Sequence, residues 1–376
     1  MSTGPKTVPP ARVFPAEVAP RGNVPRKHWH HLPTRGRLPA RTAALALAAA
    51  AMFAAGILLG SYTVTIPDFF TILAARLTGG PKIPGASFIV MEHKLPRAVV
   101  GGLVGAAFGL SGALFQTMLR NPLASPDVIG ISYGASAAAV TAIVVFGAAG
   151  AAVSGAALAG ALGVAALIYA ISGRGSSASP AGKGAAGNRL ILAGVGIAAA
   201  LQAVVSFLMT RADIRTAADV LVWLNGSLNA ANWERAGVLS VALLVLVPAV
   251  AAIAGPLRIL ELGDDTASGL GVRVGATRLA VVVTAVALSA VATAAAGPVA
   301  FVAFLAGPVS RRFVRKASLP ASALAGVLIV LAADFVAANL APLLLGGTVL
   351  PVGVVTGALG APFLLWLLVT ANRKDP

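Results

Sequence analysis

The sequence predicts an all-α polytopic membrane protein of about ten transmembrane helices, and three observations carry the prediction. Of 376 residues, 58% are hydrophobic and only 11% charged. Mean hydropathy is +0.89. Apolar runs of bilayer length recur from Thr42 to Thr370. Soluble domains carry about 25% charged residues, so this chain has too little polar surface to cover a globule in water. The net charge of +16 fits the positive-inside rule of membrane proteins better than it fits nucleic-acid binding. The absence of cysteine excludes disulfides, thiolate metal sites and cysteine nucleophiles.

Residues 1–41 are rich in proline and in Lys and Arg, with no apolar period. They read as a disordered basic tail, able to meet anionic headgroups but needing no partner. His28, His30 and His31 sit there beside Trp29; without carboxylates or thiols next to them they are assigned no metal. Residues 42–372 form the membrane domain. The first span covers Thr42–Gly60, and the loop Ser61–Lys94 holds a short amphipathic helix near Asp68–Leu77. The second span, Ala98–Leu119, follows a charged step at Lys94 and Arg97 around Pro96. Its Gly101, Gly105 and Gly109 recur every fourth residue, with Gly102 and Gly112 beside them, so a neighbouring helix can approach closely. The span stops in a polar elbow, Arg120-Asn121-Pro122, followed by Pro126 and Asp127, because proline cannot donate to a helix and restricts the residue before it.

Spans three and four cover about 129–146 and 153–171, before a Gly/Ser-rich linker at 173–187. The fifth is about 190–209. A polar segment follows, 211–235, with a surface helix at 217–224, and then the sixth span at 238–253. A second polar insert occupies 258–278. Spans seven (279–295) and eight (299–313) join at Gly297-Pro298, and Arg311, Arg312, Arg315 and Lys316 close the eighth. The ninth is 322–340 and the tenth 352–370. Each approximates the ~20 residues a bilayer needs, a few being short. With ten spans both termini share a side. Placing them in the cytoplasm leaves only Arg76, Lys82, Lys94, Arg97, Arg211, Arg215 and Arg235 outside, seven of the 28 basic residues, as the charge rule requires. A weak echo between SGALFQTMLRNP, from Ser111, and AGPVAFVAFLAGP, from Ala296, suggests inverted five-helix halves.

Catalytic chemistry is missing. No lysine sits in a phosphate-binding GxxxxGK[ST] loop, and neither HExxH nor GxSxG occurs; the chain reads as no enzyme, with no catalytic, metal or cofactor residue. Asp334 reads as the one unpaired charge inside the spans. Such a carboxylate costs ~2.5–3.5 kcal/mol to insert, so it faces protein or water, either as an ion site or bonded at a broken helix, the latter favoured. Gln116, Gln202, Ser206 and Asn339 read as packing contacts. The segment Glu261-Leu262-Gly263-Asp264-Asp265, with Leu270 and Gly271 after it, reads as a short acidic helix ending at glycine. The pattern leaves it either an interfacial filler or a dock for a soluble partner.

Four blocks carry a resemblance: Leu95–Ala135 (LPR with SGALFQTMLRNPLASPDVIGISYGA), LILAGVGI from Leu190, LELGDDTASGLGV from Leu260, and AGPVAFVAFLAGPVSRR with LPVGVVTGALGAP from Ala296 and Leu350. In that order they resemble the FecCD-type permease subunits of type II ABC importers for ferric siderophores, cobalamin and haem. SPDVIG, LGDDTA, WLNGSLN (Trp223–Asn229) and LPVGVVT look most like the ferric enterobactin branch. The resemblance implies a BtuC-like ten-helix fold, a multi-pass bacterial cytoplasmic-membrane location, two cytoplasmic ATPases that use ATP and magnesium, and an external siderophore-binding protein. It also implies pairing with a second permease, a related chain rather than a copy. By the same resemblance, residues 261–272 within the 258–278 insert couple to the ATPase, Lys94 and Arg97 face the binding protein, and Gly112, Gln116, Arg120, Asn121, Pro122 and Pro126 form a helix-break motif. Val309, Ala338 and Val349 depart from the vitamin B12 branch, which has histidine, arginine and glutamate there. The alternatives are a cobalamin or haem permease, or an ion-coupled transporter working through Asp334.

Overall fold

The computed structural model describes residues 37–60, 62–80, 83–126, 130–173 and 185–372. The chain divides into Met1–Arg37, of which only Arg37 is described, and a helical unit, Leu38–Pro376. Every regular element among the described residues is helical. In order these are α1 (Arg37–Leu58), α2 (Ile66–Thr78), α3 (Ala86–Phe88), a π turn (Ile89–Lys94), α4 (Leu95–Met118), α5 (Ile131–Phe146), α6 (Ala151–Gly173), α7 (Ala185–Arg211), α8 (Ile214–Leu224), α9 (Trp233–Leu260), α10 (Asp264–Gly269), α11 (Val274–Ala296), α12 (Val302–Val314), α13 (Leu319–Phe335), a second π turn (Val336–Leu340), α14 (Ala341–Leu344) and α15 (Val352–Asn372).

Each of the ten expected spans contains a helix, and both expected surface helices, α2 and α8, are present. Seven helical stretches are long and apolar enough to cross a bilayer; α5 and Val352–Trp366 are shorter apolar helices. Three boundaries correct the sequence reading. Helix α1 starts at Arg37, so the last five residues assigned to the tail are helical; Pro39 lies in the first turn, where a missing N–H costs nothing. The histidines and the rest of the tail lie outside the described residues, as does Asp127. The second span starts at Ala86 and runs 33 residues to Met118, straight through the charged step. The ladder shifts there to the wider i→i−5 bonding, with the Leu95 N–H donating to the Val90 carbonyl, just before Pro96, which has no N–H to place. The second π turn ends the same way, at Ala341 before Pro342.

The third correction concerns the eighth span. Helix α12 has 13 residues, about 20 Å at 1.5 Å per residue, short of the ~30 Å hydrocarbon layer. Residues 302–307 of it are nevertheless buried. Irregular backbone at membrane depth is tolerated where protein rather than lipid surrounds it, and the 297–301 turn leading into α12 is covered in that way.

Helix α4 is the hub, packed against α13, α11, α12 and α9. Its glycines make this possible. A Cβ on Gly105 would collide with the Gly326 backbone of α13, one on Gly109 with Ser322, and one on Gly112 with Ala303 of α12. Gly101 faces the side chains of Leu228 and Leu331, whereas Gly102 meets only Val327 at 4.0 Å. Gly134 and Gly160 weld α5 to α6 in the same fashion. Outside this core, Leu192, Val238, Leu244 and Val245 are more than two-thirds exposed, as side chains facing acyl chains should be.

Candidate functional site at the two ends of the bundle

Polar chemistry gathers at opposite ends of the helices. At one end the α4 elbow meets α10. Arg120 adopts φ 50°, the left-handed region uncommon for a residue with a side chain. Its Nη2 donates to the Leu260 carbonyl at 2.7 Å, one of the orphan acceptors that any helix C-terminus leaves. The same nitrogen lies 3.5 Å from Asp264 Oδ1, the oxygen that Arg278 of α11 binds at 2.9 Å. Asn121 holds the elbow: its Oδ1 accepts from the Leu123 N–H at 2.8 Å and its own N–H reaches the Gln116 carbonyl at 3.1 Å. Pro122 is exposed and Pro126 buried. One turn back, Gln116 is buried; its amide donates to the Phe304 carbonyl at 3.0 Å and its Oε1 accepts from Arg311 at 2.9 Å.

The segment between α9 and α11 matches the short acidic helix that the pattern predicts. Gly263, at φ 113°, opens it and Gly271, at φ 84°, closes it, where the Val272 N–H bonds back to the Ala267 carbonyl at 2.9 Å. Ala267 is buried beneath α10, so the helix has an inner face. Its two leucines do not share that face: Leu262 is 65% and Leu270 61% exposed. Glu261 and Asp265 are exposed with them, while Asp264 turns inward to its arginines. The sequence reading missed Arg278 and Arg311, counting both only as orientation charges; no local pattern links Arg278 to a carboxylate fourteen residues earlier.

At the opposite end stand the residues expected to meet a binding protein. Lys94 Nζ donates to the carbonyls of Ile57 (3.0 Å), Leu59 (2.8 Å) and Tyr62 (2.6 Å), capping the end of α1. Arg97 clasps Asp334 through Nε to Oδ2 at 2.9 Å and Nη2 to Oδ1 at 2.8 Å, and its Nη1 reaches Asn229 at 2.8 Å. Asp334 is therefore not the unpaired charge read from the sequence. Its partner lies 237 residues earlier in the chain, in a step that reads as a helix entrance but sits inside a helix. A carboxylate so held is a poor proton or ion carrier, and the ion-coupled alternative loses its one coupling residue.

Three sequence motifs converge beside this pair. The Ser227 N–H donates to Ala296 at 2.7 Å and the Gly353 N–H to Gly226 at 3.2 Å. A Cβ on Gly353 would strike the Asn225 carbonyl. WLNGSLN, AGPVAF and LPVG thus form one junction. Both π turns also offer a carbonyl to a neighbour, Met91 to the Trp233 indole at 2.7 Å and Ala337 to the Leu350 N–H at 3.4 Å. A cavity of about 480 Å³ opens here, lined by Gly60, His93, Lys94, Arg97, Asp334 and Asn339 among others.

A lipid-facing bundle with a glycine-welded core and a short helix held clear at one end defines a polytopic membrane permease. The family model described as the FecCD transport family matches residues 46–370, and the chain belongs to that family. It is 37% identical over 305 residues to the ferric enterobactin transport system permease protein FepG of Escherichia coli K12, covering 81% of this chain and 88% of the relative. It is also 37% identical to FepD, another permease protein of that system in the same organism, over 76% of this chain and 83% of the relative. A solved inward-facing structure assigned as a metal-chelate type ABC transporter matches with a TM-score of 0.72 at 24% identity, covering 88% of this chain and 99% of that one; at that identity the likeness concerns the fold.

Proposed function

We propose that this chain is the permease subunit of an ATP-driven importer of ferric siderophores. The observation that carries the reading is α10: a short helix braced from beneath by Asp264, Arg120 and Arg278, with Leu262 and Leu270 bare on its outer side. Apolar side chains exposed on a segment too polar to sit in acyl chains suit a soluble partner. That partner is an ATPase, which binds ATP and magnesium; the permease itself hydrolyses nothing. The α10 end and both termini lie in the cytoplasm, and the end carrying Lys94 and Arg97 faces the external binding protein.

Ferric siderophore is the cargo because both ferric enterobactin permeases are equally similar to this chain and because Val309, Ala338 and Val349 stand apart from the vitamin B12 pattern. The existence of two such permease proteins in one system supports pairing with a related but different chain. Lys94 and Arg97 contribute to docking by fixing the rim around the 480 Å³ cavity, since each already has partners within the chain.

Replacing Leu262 and Leu270 by glutamate tests the α10 assignment without touching the brace. The double variant should fold in detergent with an unchanged melting temperature yet lose co-purification of the ATPase by at least about tenfold, ~1.4 kcal/mol. Undiminished ATPase binding would remove α10 as the dock.

A further inference from the structure

The brace beneath α10 has a second consequence. Arg120 belongs to the elbow that ends α4, yet its guanidinium holds the last carbonyl of α9, at Leu260, and the first residue of α10, Asp264. Arg278 fastens the same carboxylate to α11. One turn earlier on α4, Gln116 is fixed to α12 through Phe304 and Arg311. Four turns of α4 before that are in backbone contact with α13 through Gly105 and Gly109. A displacement of α10 therefore has a continuous path into the helix on which the whole core is packed, and Arg120 is its only charged step on the elbow side among the described contacts. A planar fork with several donors can hold a carbonyl and a carboxylate together; a lysine ammonium offers a single point.

We propose that Arg120 is a positioning residue that makes α10 and the α4 elbow move as one body, so that an ATPase stroke at α10 reaches the transmembrane core. This rests on the reading that α10 is the ATPase dock. A residue that only stabilises the fold and one that transmits motion differ in a measurable way: transmission fixes the distance between α10 and the elbow in every nucleotide state.

The chain lacks cysteine, so spin labels can be placed on Leu123→Cys and Ser268→Cys without background. The measurement uses the complete permease–ATPase complex in lipid, by pulsed electron resonance, with no nucleotide and with ATP plus vanadate. With Arg120 present, the label separation should stay constant to within about 2 Å between states, the scale of a small helix shift. In Arg120→Gln the separation should differ between states by more than about 2 Å while the ATPase remains bound, and Arg120→Lys should fall between the two. Separation changing with nucleotide in the chain that retains Arg120 would overturn the proposal, as would an unchanged, state-independent separation in Arg120→Gln. If Arg120→Gln fails to assemble, the Arg120-containing chain and Arg120→Lys still decide. Failure of the docking reading shows itself separately, as ATPase binding that survives glutamates at 262 and 270.

Discussion

Arg97 and Asp334 show how a single contact alters what a residue can do. The pair is partly buried, with side-chain exposures of 25% and 13%, and three hydrogen bonds join it. Removing one partner leaves a charge in a poorly hydrated place, whereas removing both leaves none. Arg97→Leu should therefore destabilise the folded chain in detergent by about 2 kcal/mol, the scale of a lost charged hydrogen bond. The double variant with Asp334→Leu should recover most of that loss, measured as the melting temperature of each. Equal losses in single and double variants would mean that the carboxylate has another role. Nothing in the sequence advertised this pair, since no periodicity connects residues 237 positions apart. The residue types at the α10 end were legible because glycine and acid cluster within a dozen positions; their orientation, with Asp264 inward and Leu262 and Leu270 outward, was not.

Elements were read more accurately than contacts. Span centres follow from apolar length, which lipid enforces on any crossing helix. Boundaries failed where charge and proline interrupted a helix that the surrounding protein shelters: at 86–97, where a π turn absorbs Pro96, and at α12, which is too short for lipid but enclosed. The glycine face of α4 was visible as a spacing, though not its division between α13 and α12. That division yields a contrast. Gly105→Leu should abolish folded protein in membranes, because its side chain has only the Gly326 backbone to enter. Gly102→Ala should cost less than about 1 kcal/mol and express normally, its position being open and alanine favouring helix. Helix α8 supplies a pH test outside the membrane. Asp213 caps it, and the Thr216 hydroxyl at 2.7 Å, with the amides of Thr216 and Arg215, holds its carboxyl below the usual carboxylate range. The cap's contribution is therefore complete above the unfolded value of about 3.9 and fades as pH falls below it towards the lower folded value. Amide-exchange protection of residues 215 and 216, corrected for intrinsic rates, should fall in that window, and Asp213→Asn should remove the dependence while keeping a cap.

At the scale of the molecule, the two polar ends are joined by one helix. Residues 86–118 carry Lys94 and Arg97 near their start and Gln116 near their finish, with Arg120 just beyond. A body of this kind has no source of energy of its own in the sequence, and its intramembrane carboxylate is engaged by arginine, so the work must arrive from outside through α10. The direct test is uptake into proteoliposomes that contain the permease pair and its ATPase, with the binding protein supplied outside and radiolabelled ferric siderophore as cargo. The account predicts accumulation only when ATP and magnesium are enclosed with the ATPase, and no response to an imposed proton or sodium gradient. Accumulation driven by either gradient without ATP would contradict it.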